Sequence, residues 1–215
     1  MLAAPGAAQA VGGMLAGDSL LVARPGIVRQ PLTFSGIVGG DTQRPRVEVQ
    51  IAQADGSWAT IARARANGSG AFSATWRPLQ PGRFSVRAVP TGAPDAGATA
   101  TATVSVMRPA VATWYDQAGT TTSCRVKLER TTLGVAHRTL PCGTKLEFSF
   151  RGRSVMAPVI DRGPGDRRVS YDLTLAAARK IGFVSTGRGT VGVLEAATPL
   201  SAPAPAPGIA TGRRR

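Results

Sequence analysis

Histidine, cysteine and lysine are scarce here: 215 residues hold one histidine, two cysteines and three lysines. Each scarcity removes a class of chemistry. A single histidine and no CxxC spacing leave no ligand set for a zinc site. No cofactor is therefore expected, and a chelator should leave any activity unchanged. Aromatic residues make up only 5% of the chain, with none of the basic and aromatic interleaving that stacks bases, which argues against nucleic acid as a partner. No run approaches the ~18 apolar residues of a transmembrane helix.

Acidic residues are also few, 12 against 26 basic ones, for a net charge of +14. Apart from Lys127, Lys145 and Lys180, the basic residues are all arginine. A GC-rich coding bias accounts for that skew with no ligand at all. A preference for anionic partners such as wall polymers accounts for it equally well.

Glycine and proline are plentiful, at 26 and 16 residues in a chain that is 43% hydrophobic. That balance favours many short strands joined by turns, an all-β protein. The length is enough for two domains in a monomer. The N-terminal "MLAAPGAAQA" ends in Ala8-Gln9-Ala10, an A-x-A pattern, so residues 1–17 read as the remnant of an export signal or an Ala-rich leader. In an oxidising compartment Cys124 and Cys142 can close a loop worth about 3 kcal/mol. A secreted, wall-associated location is expected.

Between Ser19 and Val106 run seven short alternating segments: "SLLVARP", "PLTFSGIV", "RVEVQIAQ", "WATIARARA", "AFSATWRP", "RFSVRAVP" and "ATATATVSV". Turn-formers such as Gly39-Gly40-Asp41 and Asn67-Gly68-Ser69-Gly70 separate them at the spacing of a β-sandwich. Val47, Val49 and Ile51 should face the core while Arg46, Glu48 and Gln50 face water. Trp58, Phe72, Trp76 and Phe84 are expected in that core rather than on a sugar-stacking platform. The pattern over 18–107, above all "GSGAFSATWRPLQPGRFSVRAV", resembles bacterial immunoglobulin-like modules, which implies a spacer or adaptor.

A linker is expected over 108–111, within "MRPAVA", where Pro109 should stop the last strand. The second domain follows over 112–196, and a disordered Pro/Ala-rich tail over 197–215. Strands are expected at "KLEFSFRG", "RSVMAPVID" and "TVGVLE". One helix is expected in "DLTLAAARKIGF", with Thr174 as N-cap and Gly182 as its stop. His137, Asp161 at a strand tip, and Asp172 just before the helix are the polar residues that stand out. Hydrogen bonding, turn capping and helix-end charge account for them as well as catalysis does.

Four blocks, "ATWYDQAGTTTSC", "TLGVAHRTLPCGTKLEF", "RSVMAPVIDRGP" and "YDLTLAAARKIGF", resemble the rare lipoprotein A-like double-psi β-barrel family in order and spacing. The resemblance implies a six-stranded double-psi β-barrel with a short helix, so the whole chain is expected to be all-β, an immunoglobulin-like β-sandwich followed by that barrel. It implies peptidoglycan glycan strands as the partner, and cleavage between N-acetylmuramic acid and N-acetylglucosamine with a 1,6-anhydro product. It also implies a Cys124–Cys142 disulfide. The carry-over makes Asp161, Asp172 and His137 the catalytic candidates, and Tyr115, Arg162, Thr139 and Tyr171 the substrate-binding ones. One position departs: Val126 stands where transglycosylase members carry an acidic residue, and Glu129 is the nearest acid after it. A non-cleaving, expansin-like wall binder is therefore the alternative, and barrels of this shape also serve as protease inhibitors.

Overall fold

The computed structural model describes residues 19–22, 24–38, 45–91 and 101–196. The leader over 1–17, the tail over 197–215 and the Gly39-Gly40-Asp41 turn lie outside the described residues. The seven alternating runs are all strands: β1 (Ser19–Val22), then after a two-residue β2 (Gly26–Ile27) come β3 (Leu32–Ile37), β4 (Arg46–Ala52), β5 (Trp58–Arg65), β6 (Ala71–Trp76), β7 (Gly82–Pro90) and β8 (Ala102–Tyr115). β1, β3 and β6 form one sheet. β5, β4, β7 and the start of β8 form the facing one, with β2 along β8.

The two-residue period sets which side is buried. Val47, Val49 and Ile51 are fully buried, whereas Glu48 accepts hydrogen bonds from Thr60 and Arg63 of the adjacent strand. Phe34, Phe72, Phe84, Val86 and Val104 complete the core between the sheets, each large side chain contributing about 1.5–3 kcal/mol by burial. Trp76 stacks on Phe34 at 6.2 Å and meets Phe84 edge-on at 5.7 Å. Trp58 does not join them. Its neighbours Ala59 and Ile61 pack against the core; the Arg87 guanidinium lies 4.3 Å from the Trp58 ring centroid, a cation–π contact.

The stretch expected to be a linker is a strand. β8 runs unbroken from Ala102 to Tyr115, pairing with β7 up to Val106. From Arg108 onward it pairs with β13 (Gly189–Glu195), and from Ala112 also with β12 (Tyr171–Thr174). Pro109 falls after the β7 ladder has ended and before the β12 ladder begins. One edge of the strand is unpaired there, and a residue without an N–H is tolerated.

The second half closes on itself. β9 (Val135–Ala136), β10 (Lys145–Phe150) and β11 (Arg153–Asp161) complete a ring in the order β8, β12, β9, β11, β10, β13 and back to β8. β12 runs parallel to β8, and β9 parallel to β11. Closing the six-stranded barrel leaves no free sheet edge. Its interior is filled by Leu146, Phe148, Ala157, Val159, Leu173 and Val191. The helix α1 (Leu175–Ile181) adds Ala177, Ala178 and Ile181 to that core. Thr174 caps it by accepting from Ala177 N, and Gly182 ends it at φ 71°, as expected. Arg83 of β7 ties sandwich to barrel, donating to Glu147 at 2.9 Å and to the carbonyls of Glu195 and Ala196.

Candidate active site

Four strands of the barrel, β11, β9, β12 and β8, lie side by side. One row of residues crosses them all. Asp161 pairs with Ala136, Ala136 with Asp172, and Asp172 with Thr113. Directly paired residues project to the same face. A strand spacing of 4.7–4.9 Å sets the two aspartate backbones about 10 Å apart, with only the methyl of Ala136 between them. β9 and β12 were not foreseen as strands, because two and four residues are too few to show a period.

Asp161 ends β11 as expected, and a register shift between Val159 and Asp161 re-aims it, as bulges beside functional sites commonly do. Gly134 permits that bulge, since a Cβ there would lie 2.2 Å from Ile160 Cδ1. Beyond Asp161 the chain turns through Gly163 at φ 134°, a region that glycine alone enters readily. Oδ1 of Asp161 accepts hydrogen bonds from the backbone of Ser123 at 2.9 Å and Arg162 at 2.8 Å. Oδ2 has no hydrogen bond within the described residues.

Asp172 is half-buried and accepts a 2.6 Å hydrogen bond from the Thr113 hydroxyl. Burial raises its pKa above the ordinary carboxylate value; the Thr113 bond pulls the other way, and the Asp161 charge raises it further. The Tyr115 hydroxyl completes the group. It is buried without a hydrogen-bond partner among the described residues. Its pKa is driven well above that of a free phenol, first by burial and then by the charges of Asp161 and Asp172.

His137 orients from the neighbouring loop. Its backbone N–H donates to Asp161 O at 3.1 Å. Its ring Nδ1 accepts from the backbone of Thr139 and Leu140 at 3.2 and 3.0 Å, so the proton of the neutral ring sits on Nε2. Burial lowers its pKa, helped by Arg138 and Arg162.

The remaining candidates take other positions. Arg162 turns away from Asp161, donating to the carbonyls of His137 and Leu140 at 3.2 and 2.8 Å and to Cys142 Sγ at 3.2 Å. Thr139 is exposed beside His137. Tyr171 is only 7% exposed, its ring packed between His137 at 5.0 Å and Phe148 at 5.2 Å, and so belongs to the barrel core. Cys124 and Cys142 form a disulfide, with Cα atoms 5.8 Å apart. The bridge fastens the loop that carries Ser123 to the loop that carries His137. Val126 closes the same turn as Ser123: Thr122 N donates to Val126 O at 2.9 Å, and Val126 N to the Thr122 hydroxyl at 3.1 Å.

Thr113, Ala136 and Ser123 were missed in the sequence. Thr113 stands two residues before Tyr115 on one strand face, a signal that the alternation of β8 carries. Ser123 acts through its backbone, which no sequence pattern reveals. Among the described residues no group of three or more histidine, cysteine or acidic side chains is arranged to hold a metal.

Known proteins resemble this half of the chain. The family described as "Lytic transglycolase" matches residues 109–193. "Probable endolytic peptidoglycan transglycosylase RlpA" of Synechocystis sp. is 36% identical over 96 residues, covering 43% of this chain and 30% of that protein. "Endolytic peptidoglycan transglycosylase RlpA" of Neisseria meningitidis is 33% identical over 96 residues, covering 43% of this chain and 40% of that one. The chain thus spans less than half the length of either relative. Among solved structures, the Streptomyces papain inhibitor is similar at 25% identity and a TM-score of 0.34, covering 40% of this chain and 92% of that one.

Proposed function

We propose that the protein is a secreted peptidoglycan lytic transglycosylase of the RlpA-like double-psi β-barrel family, a reading supported by the family match over residues 109–193 and by the RlpA relatives. It cuts between N-acetylmuramic acid and N-acetylglucosamine and leaves 1,6-anhydro ends. The observation that carries this reading is the row of Asp161, Ala136 and Asp172, which brings two carboxyl groups close enough for the charge of one to raise the pKa of the other. Asp172, whose pKa is raised by burial, is the proton donor to the departing glycosidic oxygen. Asp161, with Oδ2 unengaged, accepts the proton of the muramic acid 6-hydroxyl as that oxygen attacks the anomeric carbon. One carbon–oxygen bond forms and one breaks, one proton is given and one taken, and neither water nor an enzymic nucleophile is consumed. His137, half-buried beside the row, positions the sugar, while the buried Tyr115 hydroxyl backs the two carboxyl groups from within the barrel. The sandwich, read as an immunoglobulin-like module, sets the barrel against the wall.

The test is mass spectrometry of fragments released from purified peptidoglycan, native and amidase-stripped. Anhydro-ended products from the wild type, lost in Asp161→Asn and in Asp172→Asn, support the reading. Val126, in place of the family's acid, favours one other reading: an expansin-like protein that binds glycan without cutting it. Retained binding with no new product from the wild type would establish that second reading.

A further inference from the structure

Where the sandwich meets the barrel there is a concavity of about 590 Å³. One wall is the segment around β2, with Arg24, Ile27 and Leu32. The other is the turn between β10 and β11, with Phe150 and Arg151, and the β13 backbone at Gly192. β11 separates it from the candidate active site. The nine residues from Arg153 to Asp161, at ~3.3 Å each, put the two sites about 25 Å apart.

Its lining has a definite chemistry. None of the residues around it is acidic, while Arg24 and Arg151 both line it and both are exposed. Neither guanidinium is in an ion pair among the described residues; Arg151 lies 5.0 Å above the Phe150 ring. Ile27, Leu32, Phe150 and Val191 give it an apolar component, and Gln30, Thr33, Ser149 and Thr190 give it hydrogen-bonding groups. The volume falls within the ~300–1,000 Å³ of small-molecule sites, and a junction of two domains is a usual place for one. The junction is tightly made: a Cβ on Gly192 would lie 2.7 Å from Ile27 Cδ1 and 3.0 Å from Met107 Sδ.

We propose that this junction cleft binds the peptide stems of peptidoglycan. Arg24 and Arg151 take the peptide carboxylates, and the apolar wall takes its alanine methyl groups. This rests on the wall-directed reading of the barrel. It adds that the chain grips the wall twice, on glycan at Asp161 and on peptide at the junction. Arginine suits the task because its planar fork meets a carboxylate with two parallel hydrogen bonds.

The test titrates stem peptides, released from peptidoglycan by amidase, into the isotope-labelled full chain and follows amide NMR shifts. Shifts at Ile27, Gly152 and Gly192, absent at Ser123 and Ala136, are expected. Arg24→Ala combined with Arg151→Ala should weaken binding at least tenfold, and so should amidating the peptide carboxyl groups. Cleavage of amidase-stripped glycan by that double variant should be unchanged. If stripped glycan is cut but the peptides shift nothing at the junction, or the double variant binds them as well as wild type, the proposal is overturned while the function of the barrel stands. Equal displacement of the peptides by inorganic phosphate at matched concentration would also overturn it, by showing a site for any small anion.

Discussion

Asp161 and Asp172 flank the same residue, Ala136, from opposite sides of β9. Ala136 is only 4% exposed, so the surface between the two carboxyls is set by the side chain at position 136. Ala136→Val keeps a strand-forming residue in β9 but narrows the gap by two methyl groups. Displacing a bound substrate by about 1 Å costs on the order of 100-fold in rate. A fall of that size in anhydro-product formation is expected, with an unchanged far-UV circular dichroism spectrum. A variant as fast as wild type would mean that the sugar does not pass between the two carboxyls.

The second prediction separates stability from activity at Asp172. Its folded-state pKa lies above the ordinary value, so the folded state binds the proton more tightly than the unfolded chain does. Stability therefore falls as pH rises from the ordinary value of 3.8 through the higher folded value. Asp172→Asn keeps an acceptor for Thr113 and removes that loss, so its melting temperature at pH 7 should exceed that of wild type. Its cleavage rate should drop by about 10²–10⁴, the usual contribution of a general acid or base. A melting curve at pH 4 and at pH 7, for both proteins, reads the first half of this; a lower melting temperature of the variant at pH 7 would contradict it.

Much of this arrangement is legible in the sequence. Val47, Val49 and Ile51, Thr174 and Gly182 all act as local sequence rules dictate, because alternation and capping involve only near neighbours. Pro109 misled, since a proline stops a strand only where its N–H is needed, and whether a strand edge is paired depends on distant residues. Trp58 misled similarly. The approximate row of Asp161, Ala136, Asp172 and Thr113 joins four separate segments, so its existence is a property of the barrel closure rather than of any one stretch. Arg162 lies next to Asp161 in sequence, yet its guanidinium is used by carbonyls 22 and 25 residues away.

His137 supplies a pH dependence of the opposite sign. Its pKa is lowered in the folded state, so below the ordinary value of 6.5 the unfolded chain binds protons that the folded protein refuses. Stability is complete above pH 6.5 and declines as pH falls from there through the folded pKa. His137→Asn retains an acceptor near the position of Nδ1 for the amides of Thr139 and Leu140 and does not titrate. Between pH 7 and pH 5 its melting temperature should fall less than that of wild type. Parallel pH profiles for the two proteins would remove His137 as the cause.

Reduction should act on the site as well as on the fold. The Cys124–Cys142 bridge closes a separation of 18 residues, which the chain-entropy account values at about 3 kcal/mol. It also fixes the loop whose Ser123 N–H holds Asp161. Cys124→Ser with Cys142→Ser should lower the melting temperature. At a temperature where the variant remains folded it should also cut more slowly, because the Asp161 carboxyl is free to rotate. If cleavage at that temperature matches wild type, the Ser123 contact is dispensable.

Val126 offers a test by addition rather than removal. It occupies the turn that carries Ser123, between the Thr122 hydroxyl bond and the bridge to Cys142, and it is half-buried. A glutamate there would bring a third carboxyl group to the loop that touches Asp161. Partial burial and the neighbouring carboxylates would both favour its protonated form, which is the form a proton donor needs. Val126→Glu should therefore speed release of anhydro-ended fragments severalfold, with glycan binding unchanged. An inactive wild type that becomes active in Val126→Glu would identify the present chain as a binder that has lost a single acid. A variant with unaltered rate would leave proton transfer to Asp161 and Asp172 alone.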